Sequence, residues 1–209
     1  MAKKSRDPDT RQRILEVAET QFGAKGYSGT HLQSIAEEVG VQKTALYYYF
    51  SSKEALYVAV LEQMLETLDG IISEATSRGE PSAETLERLL DGLNAVLAEH
   101  PNFSRILIRI FVDRISIDAT AIEPIIERII NPLLRFYAEG AKKGVFRKLS
   151  SRHVFLTVLG ASIFHYAAGR SSSDILGIED VFARDAVAWR RKEVGRLVTG
   201  GILSRTDGS

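Results

Sequence analysis

Five polar and aromatic side chains lie close together between residues 42 and 48, and their types suit contacts with DNA bases. Lysine donates to guanine acceptors in the major groove, while threonine methyl groups and aromatic rings pack on thymine methyls. At helical spacing Lys43 pairs with Tyr47 and Thr44 with Tyr48, so these four side chains share one exposed face. Together with Gln42 they are the candidates for reading base edges, although the Tyr47 hydroxyl could instead reach a phosphate.

Thr30 and Lys53 have the chemistry and the position for phosphate contacts. Thr30 with Gln33, and Ser51 with Glu54, match the capping-box pattern, which predicts that a helix begins just after the first residue of each pair. A helix start presents free backbone N–H groups to anions, and Lys53 adds a positive charge. Contacts of this kind fix a protein's position on DNA but carry no sequence information.

Two short helices are needed to position these side chains. Gly40 ends the first helix, because glycine adopts the left-handed conformation without a Cβ clash. The buried face of the second helix is predicted to be Val41, Ala45, Leu46, Tyr49 and Phe50. Two helices joined by a glycine turn form a helix-turn-helix unit, whose second helix can enter the major groove.

The pattern T-x4-I-A-x2-V-G-V-x-K-x2-L-Y-Y-Y-F-x-S-K-E-A-L runs from Thr30 to Leu56. It resembles the N-terminal signature of the TetR family of bacterial transcription regulators, with more than a dozen positions in register across about a quarter of the chain. One departure is Tyr48-Tyr49, where family members often carry Tyr-His or His-Tyr. The departure bears on which base is read and leaves the expected fold unchanged.

Helical periodicity continues to the end of the chain, and the sequence predicts an all-α fold of about nine helices. We assign residues 1–54 to a three-helix DNA-binding domain and residues 55–209 to an effector-binding and dimerisation domain. The fourth helix is predicted from about Lys53 to Ser77. The resemblance to TetR implies that this helix is the connector that moves the DNA-binding heads when an effector binds.

The amino-acid composition limits the classes of protein to which this chain can belong. The 209 residues contain no cysteine and carry no net charge. No apolar stretch suits a signal peptide or a membrane span, which favours a soluble, cytoplasmic protein. Residues 1–53 are slightly basic, with 8 basic and 6 acidic side chains. The basic residues of the first segment form either an arm that reaches phosphates or a solubilising tail: Lys3, Lys4, Arg6, Arg11 and Arg13.

A small-molecule site between helices is a further hypothesis. The candidate lining residues, which could equally be ordinary core, are Met64, Leu65, Leu93, Phe111, Phe155, Phe164, His165 and Tyr166. Arg105 and Arg109 could clamp an anion, but Arg109 with Asp113 also matches an exposed ion pair.

The helix after Ser151 is apolar on nearly all sides, which predicts burial on more than one side. The resemblance to TetR implies that the last two long helices pair with those of a second copy as a four-helix bundle. The alternative is an internal core helix. The candidate dimer residues are Phe155, Leu159, Gly160, Ile163, Phe182, Ala186 and Trp189.

Catalysis finds little support, because the four histidines lack paired metal-ligand spacing and no phosphate loop or nucleophile motif occurs. We predict no cofactor and no metal. The expected function is a homodimeric transcription repressor that binds an inverted-repeat operator in double-stranded DNA and is released by a small-molecule effector. The alternatives are a small helical enzyme or ligand carrier, and a helix-turn-helix protein with a protein effector.

Overall fold

The computed structural model describes residues 8–77, 80–112, 119–177 and 180–204. Within these ranges the chain forms nine α-helices, and the only β-structure is an isolated bridge between Phe146 and Leu203. The all-α fold predicted from the sequence is confirmed. The helices are α1 (Pro8–Gly29), α2 (Leu32–Val39), α3 (Lys43–Tyr49), α4 (Lys53–Ser77), α5 (Ala83–Glu99), α6 (Pro101–Val112), α7 (Ala119–Lys142), α8 (Ser151–Leu176) and α9 (Arg184–Ile202).

Glycine and serine set several of the helix ends. Gly26 interrupts α1 with a φ of 73°, and Gly40 ends α2 in the left-handed conformation with a φ of 80°. Both conformations are easily reached only without a Cβ atom. The Ser82 hydroxyl caps α5 by accepting a hydrogen bond from the Thr85 N–H at 3.1 Å.

The structure corrects both capping boxes. The N-cap of α2 is His31, whose side chain makes no capping hydrogen bond. At the start of α4 the capping hydroxyl is that of Ser52 rather than Ser51, because it accepts from the Ala55 N–H at 3.0 Å. The predicted helix starts are nevertheless right to within about a residue.

The first three helices form a small head around α1, which also packs on α4 and α6. The Phe22 and Tyr57 rings meet edge to face at 4.9 Å and join α1 to α4. On the other side of α1, the Asn102 amide of α6 donates to the Glu19 carboxylate at 3.3 Å. Burial raises the pKa of Glu19, and this hydrogen bond opposes the shift. The head is therefore fastened to the rest of the chain by two helices.

Helix α4 belongs to both parts of the molecule. Its 25 residues span about 37 Å at 1.5 Å per residue. Tyr57 packs in the head, whereas Leu65 to Ile72 pack among the later helices. The division into domains at residue 54 falls in the first turn of α4, and it stays a prediction.

No helix in the described ranges is both long and apolar enough to cross a membrane.

Candidate DNA-binding surface, cavity and dimer face

Helix α3 presents the two faces predicted from the sequence. Leu46 and Phe50 are buried in the head, at 0% and 4% exposure. On the opposite side Tyr47 and Tyr48 are 46% and 49% exposed. Gln42, Lys43 and Thr44 are also exposed, so the five candidate base-reading residues lie on one surface. We call these five residues the reading face.

Each of the two tyrosine rings of the reading face has one neighbouring contact. The Lys43 ammonium lies 5.9 Å from the centre of the Tyr47 ring, within the range of a cation–π contact. Tyr48 meets the partly buried Tyr49 edge to face at 5.3 Å. The two exposed tyrosines are thus supported from the side, which lowers the entropy cost of placing them in a groove.

Two of the predicted arm residues help to build the head instead. The Arg13 guanidinium donates to the Val39 carbonyl oxygen at 2.8 Å, at the C-terminal end of α2. Arg11 lies over the Phe50 ring at 5.2 Å. Both residues belong to α1 and brace the helix-turn-helix unit. The other arm residues, Lys3, Lys4 and Arg6, lie outside the described residues.

Thr30 is not placed for a phosphate contact, which corrects the sequence-based assignment. Thr30 is fully buried. Its hydroxyl donates to the carbonyl oxygens of Gln21 and Gly26, at 3.1 and 2.8 Å. The side chain therefore bonds back to α1, before and at the break at Gly26, where its role is structural.

Lys53 lies at the start of α4, at the edge of the head. Its ammonium group is 4.5 Å from the centre of the Tyr27 ring and donates to the Ser28 carbonyl oxygen at 3.4 Å. Partial burial lowers the pKa of this lysine. The side chain remains partly exposed beside the first turn of α4, at the positive end of the helix dipole.

An apolar cavity of about 160 Å³ lies between α4, α5, α6, α7 and α8, with one residue of α9 at its edge. Its wall consists of Leu65, Leu68, Ile71, Ile72, Leu86, Leu89, Leu90, Leu93, Leu107, Ile110, Phe111, Ile126, Ile129, Ile130, Leu133, Phe136, Tyr137, Ser151, Val154, Phe155, Val158, Leu159 and Ile202.

The cavity wall has almost no polar groups. Of the described wall residues, only Ser151 and Tyr137 carry a side-chain hydroxyl, and the Tyr137 hydroxyl donates to the Arg147 carbonyl oxygen at 2.7 Å. Burial raises the pKa of Tyr137, so this phenol stays neutral. A cavity with such a wall favours apolar ligands over water.

Four of the eight candidate ligand residues line this cavity: Leu65, Leu93, Phe111 and Phe155. The other four do not. Met64 is fully buried among core side chains, whereas Phe164 is 62% exposed on the outer side of α8. His165 and Tyr166 belong to a separate polar cluster. The ligand role of all eight residues remains a prediction, and for these last four the geometry gives no support.

The polar cluster joins α5, α8 and α9. The Tyr166 hydroxyl donates to the Asn94 side-chain oxygen at 2.8 Å, and Arg190 donates to the Ala161 carbonyl oxygen at 2.6 Å. Burial lowers the pKa of His165, and the charge of Arg190 lowers it further. Burial also raises the pKa of Tyr166. Both rings are therefore neutral near pH 7.

The candidate dimer residues divide between the inside and the outside of the bundle. Phe155 and Leu159 line the cavity, and Ile163 is 3% exposed in the core. Phe182 and Ala186 are partly buried, so of the seven candidates only Gly160 and Trp189 are exposed. Two further large apolar side chains are exposed on the same helices, and they were not among the candidates predicted from the sequence: Leu156 on α8 and Leu197 on α9.

The exposed apolar residues of α8 and α9 form what we call the bare face. On α8, Leu156, Gly160 and Phe164 recur at intervals of four residues, so they lie on one side of the helix. On α9, Trp189 and Leu197 are 68% and 74% exposed. Large exposed apolar groups in such a stripe are typical of protein–protein interaction surfaces.

Arg105 and Arg109 line a second, more open depression of about 520 Å³ between α1, α6 and α8. Arg109 donates to the Ala24 carbonyl oxygen at 3.5 Å, which is a long contact to the head. The alternative partner Asp113 lies outside the described residues. This depression is on the side of α6 opposite the apolar cavity, because their wall residues alternate along the helix.

Sequence reasoning missed most of the cavity wall, in particular the stripe on α7. Ile126, Ile129, Ile130 and Leu133 follow helical spacing, so the pattern predicts a buried face. Periodicity alone does not tell whether such a face meets other side chains or encloses space. Among the described residues, no three His, Asp or Glu side chains are grouped so that they could hold a metal ion.

Two family models cover most of the chain. Residues 14–60 match the model for bacterial regulatory proteins of the tetR family. Residues 83–198 match the model of a tetracyclin repressor-like C-terminal domain. The chain belongs to the TetR family. As a TetR-family member it is a transcriptional regulator rather than an enzyme, and its α2–α3 unit is the family's helix-turn-helix.

The chain is similar to three proteins described as regulators or solved with operator DNA. The HTH-type transcriptional regulator RutR of Escherichia coli K12 is 29% identical over 194 residues, which are 92% of this chain and 90% of RutR. The biofilm operon negative regulator IcaR of Staphylococcus aureus strain Newman is 34% identical over 80 residues, 38% of this chain and 43% of IcaR. The structure of AibR with isovaleryl coenzyme A and operator DNA has a TM-score of 0.71, covers 90% of this chain and 97% of AibR, and is 18% identical.

Proposed function

We propose that this TetR-family regulator is a homodimeric repressor that binds an inverted-repeat operator and releases it when a small molecule enters the apolar cavity. The observation that carries the proposal is the reading face, where five side chains suited to base edges are exposed on the second helix of a helix-turn-helix. Repression is favoured because the relative IcaR is a negative regulator.

The proposed DNA contacts divide by chemistry. Lys43, Thr44 and the two exposed tyrosines of the reading face would meet base edges, with Gln42 beside them. Lys53 and the first turn of α4 would meet a phosphate and fix the register. A single head of this size binds weakly, so two heads about 34 Å apart are needed to read two half-sites.

The bare face supports a homodimer. Its exposed Phe164 and Trp189 would be costly to leave in water, and a second copy of the same face is the simplest cover for both α8 and α9. An interface built in this way has two-fold symmetry, which would match the symmetry of an inverted repeat.

Effector control follows from the position of α4. Leu65, Leu68 and Ile72 of this helix line the cavity, and its first turn carries Lys53 into the head. A ligand that binds one position of α4 more tightly than another would shift the population of head arrangements. AibR, which shares the fold, has been solved with both a coenzyme A ester and operator DNA.

Selection from a genomic DNA pool at physiological salt tests the DNA-binding proposal. The expected result is an inverted repeat whose half-sites are about one DNA turn apart. Tyr48→Ala should change the preference at particular positions of each half-site. Recovery of no motif by folded, ligand-free protein would contradict the proposal.

Mass measurement in solution tests the dimer. Trp189→Glu places a charge in the bare face and should shift the protein from dimer to monomer. Val112→Glu is the matched control, because Val112 is 72% exposed on α6, outside that face. Equal behaviour of the two variants would show that the bare face is not the interface.

A further inference from the structure

We infer that the cavity takes an uncharged, chain-like apolar molecule with at most one hydroxyl or carbonyl group, which lies at Ser151. This inference rests on the proposed function, in which the apolar cavity is the effector site. It names the chemical class of that effector from the wall of the cavity alone.

The wall excludes a charged group from the interior. Among its described residues it contains no Asp, Glu, Lys, Arg or His side chain, so a bound carboxylate or ammonium would find no counter-charge there. An ion without a partner in such surroundings is strongly disfavoured. A charged form of the ligand would therefore bind more weakly than an uncharged form with the same hydrocarbon part.

The wall also limits the number of polar groups. The Tyr137 hydroxyl donates to the Arg147 carbonyl oxygen, and among the described wall residues Ser151 is the only other one with a side-chain donor. Sugars and nucleobases carry many donors and acceptors, which would lose their water partners without replacement. A single polar group is compatible with this wall, because the Ser151 hydroxyl can both donate and accept.

The extent of the wall favours a chain over a compact ring system. Along α7 it runs from Ile126 to Tyr137, which is about 16 Å at 1.5 Å per residue. Along α8 it runs from Ser151 to Leu159, or about 12 Å. A volume of about 160 Å³ spread over such a length leaves a narrow channel.

One end of the channel reaches the surface. Phe111, at the C-terminal end of α6, is part of the wall and is 51% exposed. Because Phe111 borders both the cavity and solvent, we place the entry of the chain beside this residue.

Titration calorimetry and thermal melting of the full-length protein, without DNA, test the ligand class. The probes are decan-1-ol, decanoate and adamantan-1-ol at pH 7.5. We expect decan-1-ol to raise the melting temperature and to bind at least about tenfold more tightly than decanoate, because burying the carboxylate is costly. Tighter binding of decanoate or of the compact adamantan-1-ol would overturn the inference.

Two variants locate the probe. Ser151→Ala should weaken decan-1-ol about two- to tenfold, as expected for one hydrogen bond, and leave decane unaffected. Ile130→Trp fills the channel and should abolish binding, whereas Val112→Trp, outside the wall, should not. Unchanged affinity in both Ser151→Ala and Ile130→Trp would show that the probe binds elsewhere and would contradict the inference.

A separate measurement of operator affinity distinguishes two claims: that the cavity binds this class of ligand, and that the bound ligand releases the operator. Binding of decan-1-ol without any change in operator affinity would support the ligand class and contradict release by ligand. Failure of every probe to bind, with operator recognition intact, would overturn the ligand class and leave the DNA-binding function standing. In that case a protein effector becomes the better explanation.

Discussion

Gly92 of α5 packs directly against Ile71 of α4, so closely that a Cβ atom at position 92 would overlap the Ile71 Cγ2 methyl group. Ile71 lines the apolar cavity. Because Ile71 is β-branched and stiff at χ1, it cannot simply rotate its methyl group away. The contact therefore fixes the distance between α4 and one wall of the cavity.

Gly92→Ala should destabilise the protein by about 1–3 kcal/mol, because the added methyl group forces α4 and α5 apart. It should also change the affinity for a cavity ligand. Gly70→Ala is the matched control on α4, since a Cβ there meets nothing within 4 Å. That variant should be neutral or stabilising by about 1 kcal/mol. Urea unfolding measures the stability of both variants. Equal free energies of unfolding for Gly92→Ala and Gly70→Ala would contradict the steric clash with Ile71.

Thr30→Val should lower the free energy of unfolding by about 1–3 kcal/mol, because it removes the hydroxyl that donates to Gln21 and Gly26 inside the head. Thr44→Val, the same change on the exposed reading face, should leave stability within about 0.5 kcal/mol and alter DNA preference instead. Chemical denaturation and DNA-binding assays separate the two effects. If Thr30→Val left stability unchanged but weakened DNA affinity, the result would contradict the structural role and favour the phosphate contact predicted from the sequence.

Lys53→Ala should weaken binding to all DNA sequences alike and reduce the slope of log affinity against log salt by about 1. Lys143→Ala removes the same charge from the other end of the molecule, where Lys143 pairs with Glu80 at 2.8 Å, and should leave that slope unchanged. Fluorescence anisotropy over a range of salt concentrations gives both slopes. A sequence-dependent loss for Lys53→Ala would instead indicate a base contact.

Stability should fall as the pH is lowered from about 7 to 5, because burial and Arg190 lower the pKa of His165 in the folded state. In this window the unfolded chain binds more protons at this position than the folded chain, so stability rises with pH. His165→Gln should flatten the dependence of stability on pH. His153→Gln, a substitution at an exposed position of the same helix, should leave this dependence unchanged. Urea midpoints at one protein concentration measure the effect, and parallel profiles for wild type and His165→Gln would exclude it.

The helix-turn-helix was predictable because its signals are local. Gly40 marks the turn, and the spacing of Leu46 and Phe50 separates the buried side of α3 from the reading face. Hydroxyl residues were less informative: Thr30 has the position of an N-cap but turns inward, and Ser52 caps α4 where its neighbour Ser51 was expected. Serine and threonine side chains can satisfy either N–H or C=O groups, and tertiary packing decides which.

The cavity and the bare face depend on how the helices pack against one another. The spacing of apolar residues in the sequence does not predict this packing. Helix α8 is apolar on nearly all sides, so the sequence could not tell that Phe155 faces the cavity while Phe164 faces outward. The wall of the cavity comes from six helices, and its empty space results from residues far apart in the chain. A buried stripe was predictable on each helix, but the gap between them was not.

Helix α6 serves two neighbours at once. Leu107 and Ile110 face the cavity, while Asn102 and Arg109 touch α1 of the head. Substitutions on α6 that retune ligand choice would therefore also disturb DNA affinity. By contrast α7, which packs mainly on α4 and α8, supplies a larger share of the wall. Variation of α7 is thus the freer route by which relatives of this protein can acquire new ligands while keeping their operators, and it is the helix to randomise when a new sensor is built on this scaffold.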